Sequence, residues 1–421
     1  MTITQTTPAT PTTSGTSGTS GTSAATTTSA TAPTTSNAST PTRHWTGADP
    51  SSRWPSAARE LVPKLAAHAA EADRSGRFVH EGYDLLRERR FMSMLVPAEL
   101  GGGGATFAET CMTLTELAHG CPATSLAFAM HSHLVAAQVW RHQRGMPAPV
   151  LGKLAASELV LVSTGASDWL DSNGTATKVE GGYRVSARKA PARGASAGNV
   201  AATSIRWEGG PDGPQVLHCS VPFAAEGVSV EETWDTMGMR ATGSHTVVFD
   251  NVFVPDEAVA LVRPAGAWHP VWASVLGVAL PLIMSSYVGV AESAVERATE
   301  LAARRPERPD VAPLVGRMRN RLTVARDTVR AMIEAADDLR FDNTIEAAAD
   351  SLTRKTNAAE AVIDTVRLAI EVGGGAAYHV SGGIERLYRD VHGALFHPLP
   401  TAQQERFTGR IALGLDPVGG A

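Results

Sequence analysis

Two stretches decide how this chain folds: WDTMGMRATGSHTVVFDNVFVPDEAV (Trp234–Val259) and EVGGGAAYHVSGGIERLYRD (Glu371–Asp390). In the first, a turn-forming MGMRATGS run opens into TVVFDNVFVP, a β-branched and aromatic series that reads as a long strand. In the second, Gly373, Gly374 and Gly375 interrupt a helical pattern. Consecutive glycines permit positive φ and close backbone approach to a phosphate, or simply cap a helix before a tight turn.

Working outward, the apolar period changes twice. From Pro55 to about Ser157 it is helical, with Leu61, Leu65, Ala69 and Ala72 on one face. Pro97 and Gly101 to Gly104 break that pattern before helices through Leu114–Ala118 and Leu126–Val139. Short β-branched runs follow: LVLVST, YRVSAR, VAATSI, QVLHCSVP, GVSVEE and TVVFDNVFVP, separated by Gly, Asp, Asn and Pro turns. Helical spacing returns after Pro270, with Val288, Ala291, Ala294, Val295 and Ala298 on one face and amphipathic stretches over 312–340, 345–372 and 403–413. The expected fold class is α+β: a helical N-terminal domain (46–157), a central β-barrel or sandwich (158–262) and a C-terminal four-helix bundle (263–421). Residues 1–45 are almost wholly Thr, Ser, Ala, Gly and Pro and read as a disordered tail.

Composition narrows the function. A net charge of −5 gives no electrostatic footprint for nucleic acid or an anionic membrane. Cys111, Cys121 and Cys219 lack CxxC spacing and, with no HExxH pattern either, exclude a disulfide framework and a zinc site; a reducing cytoplasm is expected. No uninterrupted apolar run reaches the roughly 20 residues that span a bilayer, and no secretory signal opens the chain.

From about Phe78 to Leu415 the chain resembles the acyl-CoA dehydrogenase superfamily, flavoenzymes of helix–sheet–helix build. The marks come in order: MLVPAELGGGGA, LVSTGASD, GGYRVSARKAPARGASAGNV, MGMRATGSHTVVFDNVFVP and GGGAAYHVSGGIERLYRD. The resemblance implies a flavin, FAD or FMN, contacted by Ser163, Thr164, Gly165, Ser167, Ala192 and Arg193. It also implies that Glu371, Gly374 and Gly375 reach the cofactor's diphosphate or adenosine end across a subunit boundary, hence a homodimer or homotetramer. Arg240 lies toward the active-site face on this reading, and His131 and His133 line either the core or the substrate pocket. Arg389 and Asp390 are expected to form a structural pair.

The chain departs from the pattern where chemistry is done. A dehydrogenase needs a carboxylate to take the α-proton of a thioester. Where such a Glu usually follows the RD pair, this chain has Phe396, His397 and Pro398. The first helix after the β domain, which supplies the base in some relatives, has no acid before Glu292, and Glu405 lies too far along. Gly165 replaces a usual glutamate, and AARRPERPDVAPLVG replaces the usual phosphate loop, leaving Arg304, Arg305 or Arg308 as loose substitutes. The His-Pro pair is similar to two-component monooxygenases of this fold, which take reduced flavin from a separate reductase and react it with oxygen. His397 is then the candidate catalytic residue, suited by a near-neutral pKa, or else a packing residue in a Pro-kinked loop. The alternatives are a dehydrogenase with a relocated base and a non-catalytic ligand-binding relative.

Overall fold

The computed structural model describes residues 45–165 and 168–419; the Thr/Ser/Ala-rich tail and Ser167 lie outside the described residues. The N-terminal helices are α1 (Arg53–Ser75), α2 (His80–Glu88), α3 (Phe107–Gly120), α4 (Pro122–His142) and α5 (Val150–Ser157). α1 buries the face read from its sequence, Ala58, Leu61, Leu65, Ala69 and Ala72, and ends at Gly76, whose left-handed backbone returns its N–H to the Ala72 carbonyl. α3 opens with a capping box between Thr106 and Glu109. α4 starts on Pro122 and is buried on almost every side.

Two four-stranded sheets follow. β1 (Leu161–Ser163), β4 (Val200–Trp207), β5 (Gln215–Pro222) and β8 (Val259–Pro264) form one, in the order β1-β4-β5-β8. β2 (Thr175–Val179), β3 (Gly182–Ala192), β7 (His245–Pro255) and β6 (Val228–Glu231) form the other, in the order β2-β3-β7-β6. Among the described residues only the β1–β4 pairing is parallel, and it sets Ser163 beside Ala202. β2 and β8 are absent from the sequence expectation, because TATKV and VALVRP alternate too weakly against solvent to stand out.

The C-terminal helices are α6 (Val271–Ala302), α7 (Val311–Ala336), α8 (Ile345–Gly373), the single turn α9 (Gly375–Tyr378), α10 (Ile384–Val391) and α11 (Thr401–Ala412). α6 stands apart by its length and apolarity among the described helices. It carries no charged residue from Val271 to Ala291 and is long and apolar enough to cross a bilayer, yet its most apolar window is 94% buried. Interspersed Ser, Gly and Ala hid this stretch from a count of strictly apolar residues. α3, α4, α7 and α8 pack around it, and Gly289 lets the α3 backbone approach: a Cβ there would lie 2.4 Å from the Thr115 carbonyl.

The two decisive stretches meet. Gly238 lies so close to the Arg389 carbonyl that a Cβ would stand 2.2 Å from it, and the Met239 N–H donates to Asp390. Arg389 and Asp390 are therefore not paired with each other, as expected above. Arg389 bridges Asp73 (2.6 Å) and Glu385 (2.9 Å), while Asp390 holds the MGMR turn.

Candidate active site

A cavity of about 230 Å³ opens where the end of β1, the inner face of the β1-β4-β5-β8 sheet, α4, the start of α6 and the loop after α10 converge. One side is apolar: Met130, Leu134 and Ala137 from α4, Leu276, Ala279, Leu280 and Ile283 from α6, with Trp169 and Trp272. Its polar side is built from Ser163, Gly165, Thr203, Ser204, Arg193, His133, His218 and His397. No Asp or Glu lines it among the described residues. Asp168 lies behind the wall, its Oδ2 accepting from Lys189 Nζ (2.8 Å) and from the Ser204 hydroxyl (3.0 Å). Glu292, the first acid of α6, is committed elsewhere, to His119, Arg326 and Trp45.

His397 is placed by three constraints. Pro398 biases the preceding residue to extended backbone, and His397 adopts it (φ −71°, ψ 146°). Lys355 Nζ donates to the Leu399 carbonyl at 3.1 Å, tying the loop to α8. Tyr287, from the middle of α6, shares a 2.9 Å hydrogen bond with His397 Nε2. His397 Nδ1 is left buried with no protein partner. Burial, and the cations of Arg193 and Lys355, hold the imidazole pKa well below the ordinary value. This corrects the expected near-neutral pKa: burial favours the neutral ring. In the tautomer where Tyr287 donates to Nε2, the proton sits on Nδ1, which has no protein partner.

Arg193 also lines the cavity with its Nε unsatisfied, and burial lowers its pKa. His133 faces the same space without a well-formed bond at Nδ1, its pKa brought down to about 4 by burial. Gly165 and Ser163 lie in the wall, where a Cβ at Gly165 would meet nothing within 4 Å.

Several candidates fall elsewhere. His131 is a core residue: Nε2 bonds the Met92 carbonyl, Nδ1 accepts the Leu161 N–H, and the ring stacks on Phe128. Thr164 spends its hydroxyl on Thr203 and Ala202, and Ala192 is fully buried; neither lines the cavity. Arg240 points away, into a different cleft, bonding the Asp73 and Thr236 carbonyls and Asp235. Glu371, Gly374 and Gly375 are likewise outside the cavity. Glu371 pairs with Arg367 on the surface, whereas Arg305 lies against Gly374, 3.8 Å from where its Cβ would be, and donates to the Gly373 carbonyl. Tyr287, Lys355, His218 and Trp272 were not singled out from the sequence. A lone hydroxyl in the apolar run PLIMSSYVGVA was the available sign of Tyr287.

The family model for the acyl-CoA dehydrogenase N-terminal domain matches residues 55–144, and that for the C-terminal domain matches 271–396. Together they cover more than half of the chain, which belongs to the acyl-CoA dehydrogenase family. Among curated proteins it is 28% identical over 385 residues to L-evernosamine nitrososynthase of a Micromonospora strain, covering 85% of this chain and 89% of that one. It is 26% identical over 381 residues to dibenzothiophene monooxygenase of Mycolicibacterium goodii, covering 81% and 89%. Among solved structures, KijD3 in complex with FMN and a dTDP-linked amino sugar superposes with a TM-score of 0.77 at 28% identity, over 86% of this chain and 95% of that one.

Proposed function

We propose that this protein is a two-component flavin-dependent monooxygenase: it takes reduced flavin from a separate reductase and inserts one atom of oxygen into a small, largely apolar organic substrate. One observation carries this reading. The cavity presents a neutral, half-partnered imidazole and no carboxylate among the described residues, so it lacks the base for thioester dehydrogenation and offers a hydrogen-bonding group for oxygen chemistry. The relatives include nitrososynthases and a dibenzothiophene monooxygenase, which supports this reading, alongside a putative acyl-CoA dehydrogenase of Bacillus subtilis.

The residues fit a flavin. The ring's polar edge would meet Ser163, the Gly165 backbone and the Arg193 guanidinium, whose Nε has no protein partner. Reduced flavin, when bound, supplies the two electrons that convert O₂ and substrate to hydroxylated product and water. His397 would donate from Nδ1 while Tyr287 fixes its orientation, and the apolar α4 and α6 walls would hold the substrate and exclude water. FMN is the form in the KijD3 complex, and FAD remains the alternative. The phosphate end would be met by Arg305 and the glycine turn of a second copy. Tyr378 and Val380 beside that turn are 81% and 74% exposed, as a homo-oligomer contact would need. The three cysteines are free and buried, in keeping with the cytoplasm.

The test is product formation with a flavin reductase, NAD(P)H and oxygen, on aromatic and amine substrates, for wild type and His397→Ala. The variant should lose about 10²-fold or more in product while still binding flavin. Rapid anaerobic bleaching of the oxidised holoprotein by a saturated acyl-CoA would instead establish a dehydrogenase.

A further inference from the structure

A second cleft, of about 740 Å³, lies away from the cavity described above, between the end of α1, the 236–240 turn, Arg297 of α6 and the start of α10. Its walls carry Arg74, Arg240, Arg297, Arg386 and Arg389 against only Asp73 and Glu385. Both acids are already engaged by Arg389.

Arg297 and Arg386 are the exceptional pair. Arg386 is 9% exposed, and its Nε has no partner. Arg297 feels Glu296 and Glu300 only at range, Glu296 being bonded to His119, while burial and the Arg386 charge work against its proton. Neither guanidinium has a carboxylate partner in an ion pair among the described residues. The guanidinium of Arg297 also lies over Gly383, where a Cβ would stand 2.4 Å from Nη1. Gly383 is the N-cap of α10, has φ 70° and supplies no side-chain cap. Two cations and the positive end of a helix dipole thus converge with no carboxylate in ion-pair contact with either guanidinium among the described residues, an arrangement that favours an oxyanion placed among them.

We infer that this cleft is a second binding site, for the phosphoryl group of a small phosphorylated molecule. The fork of Arg386 and the end of Arg297 would grip its oxygens, with the first α10 amides behind them. The room left beside them accommodates more than a bare ion. Arg305 and the glycine turn lie outside this cleft, so it is distinct from the place assigned to the flavin phosphate.

Calorimetric titration of the full chain with pyrophosphate, first without and then with saturating FMN, tests the assignment. One saturable site per chain should appear in both conditions. It should weaken about tenfold or more in Arg297→Gln and in Arg386→Gln, and stay unchanged in Arg305→Gln. Arg297 is partly exposed, so its variant carries the test if the Arg386 variant does not fold. The inference is overturned by absence of saturable binding, by one-for-one displacement by FMN, or by binding that survives Arg297→Gln or is lost only in Arg305→Gln.

Discussion

Replacing Lys355 by Met should make the protein more stable and flatten its pH dependence. Lys355 is 1% exposed on α8, donates to the Leu399 carbonyl, and has no carboxylate opposite it among the described residues. Burial alone brings its pKa from 10.5 to about 8. At 1.36 kcal/mol per pH unit, the charged amine costs the folded state about 3 kcal/mol at neutral pH. Truncation strands the Leu399 carbonyl, which costs about 1 kcal/mol, so the net gain is about 2 kcal/mol. The sign follows from proton counting. Between about pH 8 and 10.5 the unfolded chain holds this proton and the folded one does not, so wild-type stability rises through that window. The advantage of Lys355→Met should be full below about pH 8, shrink as pH rises, and give way by about 10.5 to a deficit of about 1 kcal/mol left by the stranded carbonyl. Urea unfolding of both proteins from neutral to alkaline pH measures it. Parallel curves, or a variant less stable at pH 7, would refute the reasoning. The loop bearing His397 loses its tether in the same variant, so product formation should fall while stability climbs.

Three more substitutions probe the same framework. Tyr287→Phe leaves His397 Nε2 buried and unpartnered, a cost of about 1–3 kcal/mol seen in thermal unfolding, together with slower product formation. Because the imidazole stays neutral, activity of the wild type should show no histidine titration between about pH 6 and 8; a sigmoidal step abolished by His397→Ala would contradict the burial argument. Glu292→Gln strands Arg326 and leaves His119 with Glu296 alone, and should cost about 3 kcal/mol. Although burial opposes it, His119 and Arg326 hold the Glu292 pKa at about 2, and the two acids raise His119 to about 9 despite burial. The wild-type contribution is therefore present above 4.5 and lost as pH falls through about 2, and present below 6.5 and lost as pH rises through about 9; the variant should lack the acid limb. Gly289→Ala drives a methyl into the Thr115 carbonyl and should destabilise by about 1–3 kcal/mol, with a lowered denaturation midpoint as the readout.

The fold was legible because its punctuation is local. Pro97, the Gly101–Gly104 run and the central β-branched runs each act within a few residues, and they appear where periodicity placed them. The active cavity was only partly legible, since its members arrive from distant segments. His397 stood out because it occupies a place where an acid was due. His131 and His133 show the limit: two residues apart on a helix, they are turned by about 200°, so only one can face a given space. α4 is buried nearly all round, so hydrophobicity could not say which. Arg240 was misplaced for a related reason, because its surroundings are set by α1 and α10, far off in sequence.

The chemistry of α6 bears on how the polypeptide is made. Synthesis proceeds from the N-terminus, so α3 and α4 leave the ribosome before α6, while α7 and α8 emerge after it. For that interval the greasiest segment of the molecule has half its eventual coat. The earlier helices offer it a docking groove, closed at Gly289 against Thr115, and the rest stays wet until α8 is complete. Slowing translation just beyond Ala302 would lengthen the period in which chaperones, or insertion machinery that reads such segments as membrane spans, compete for it.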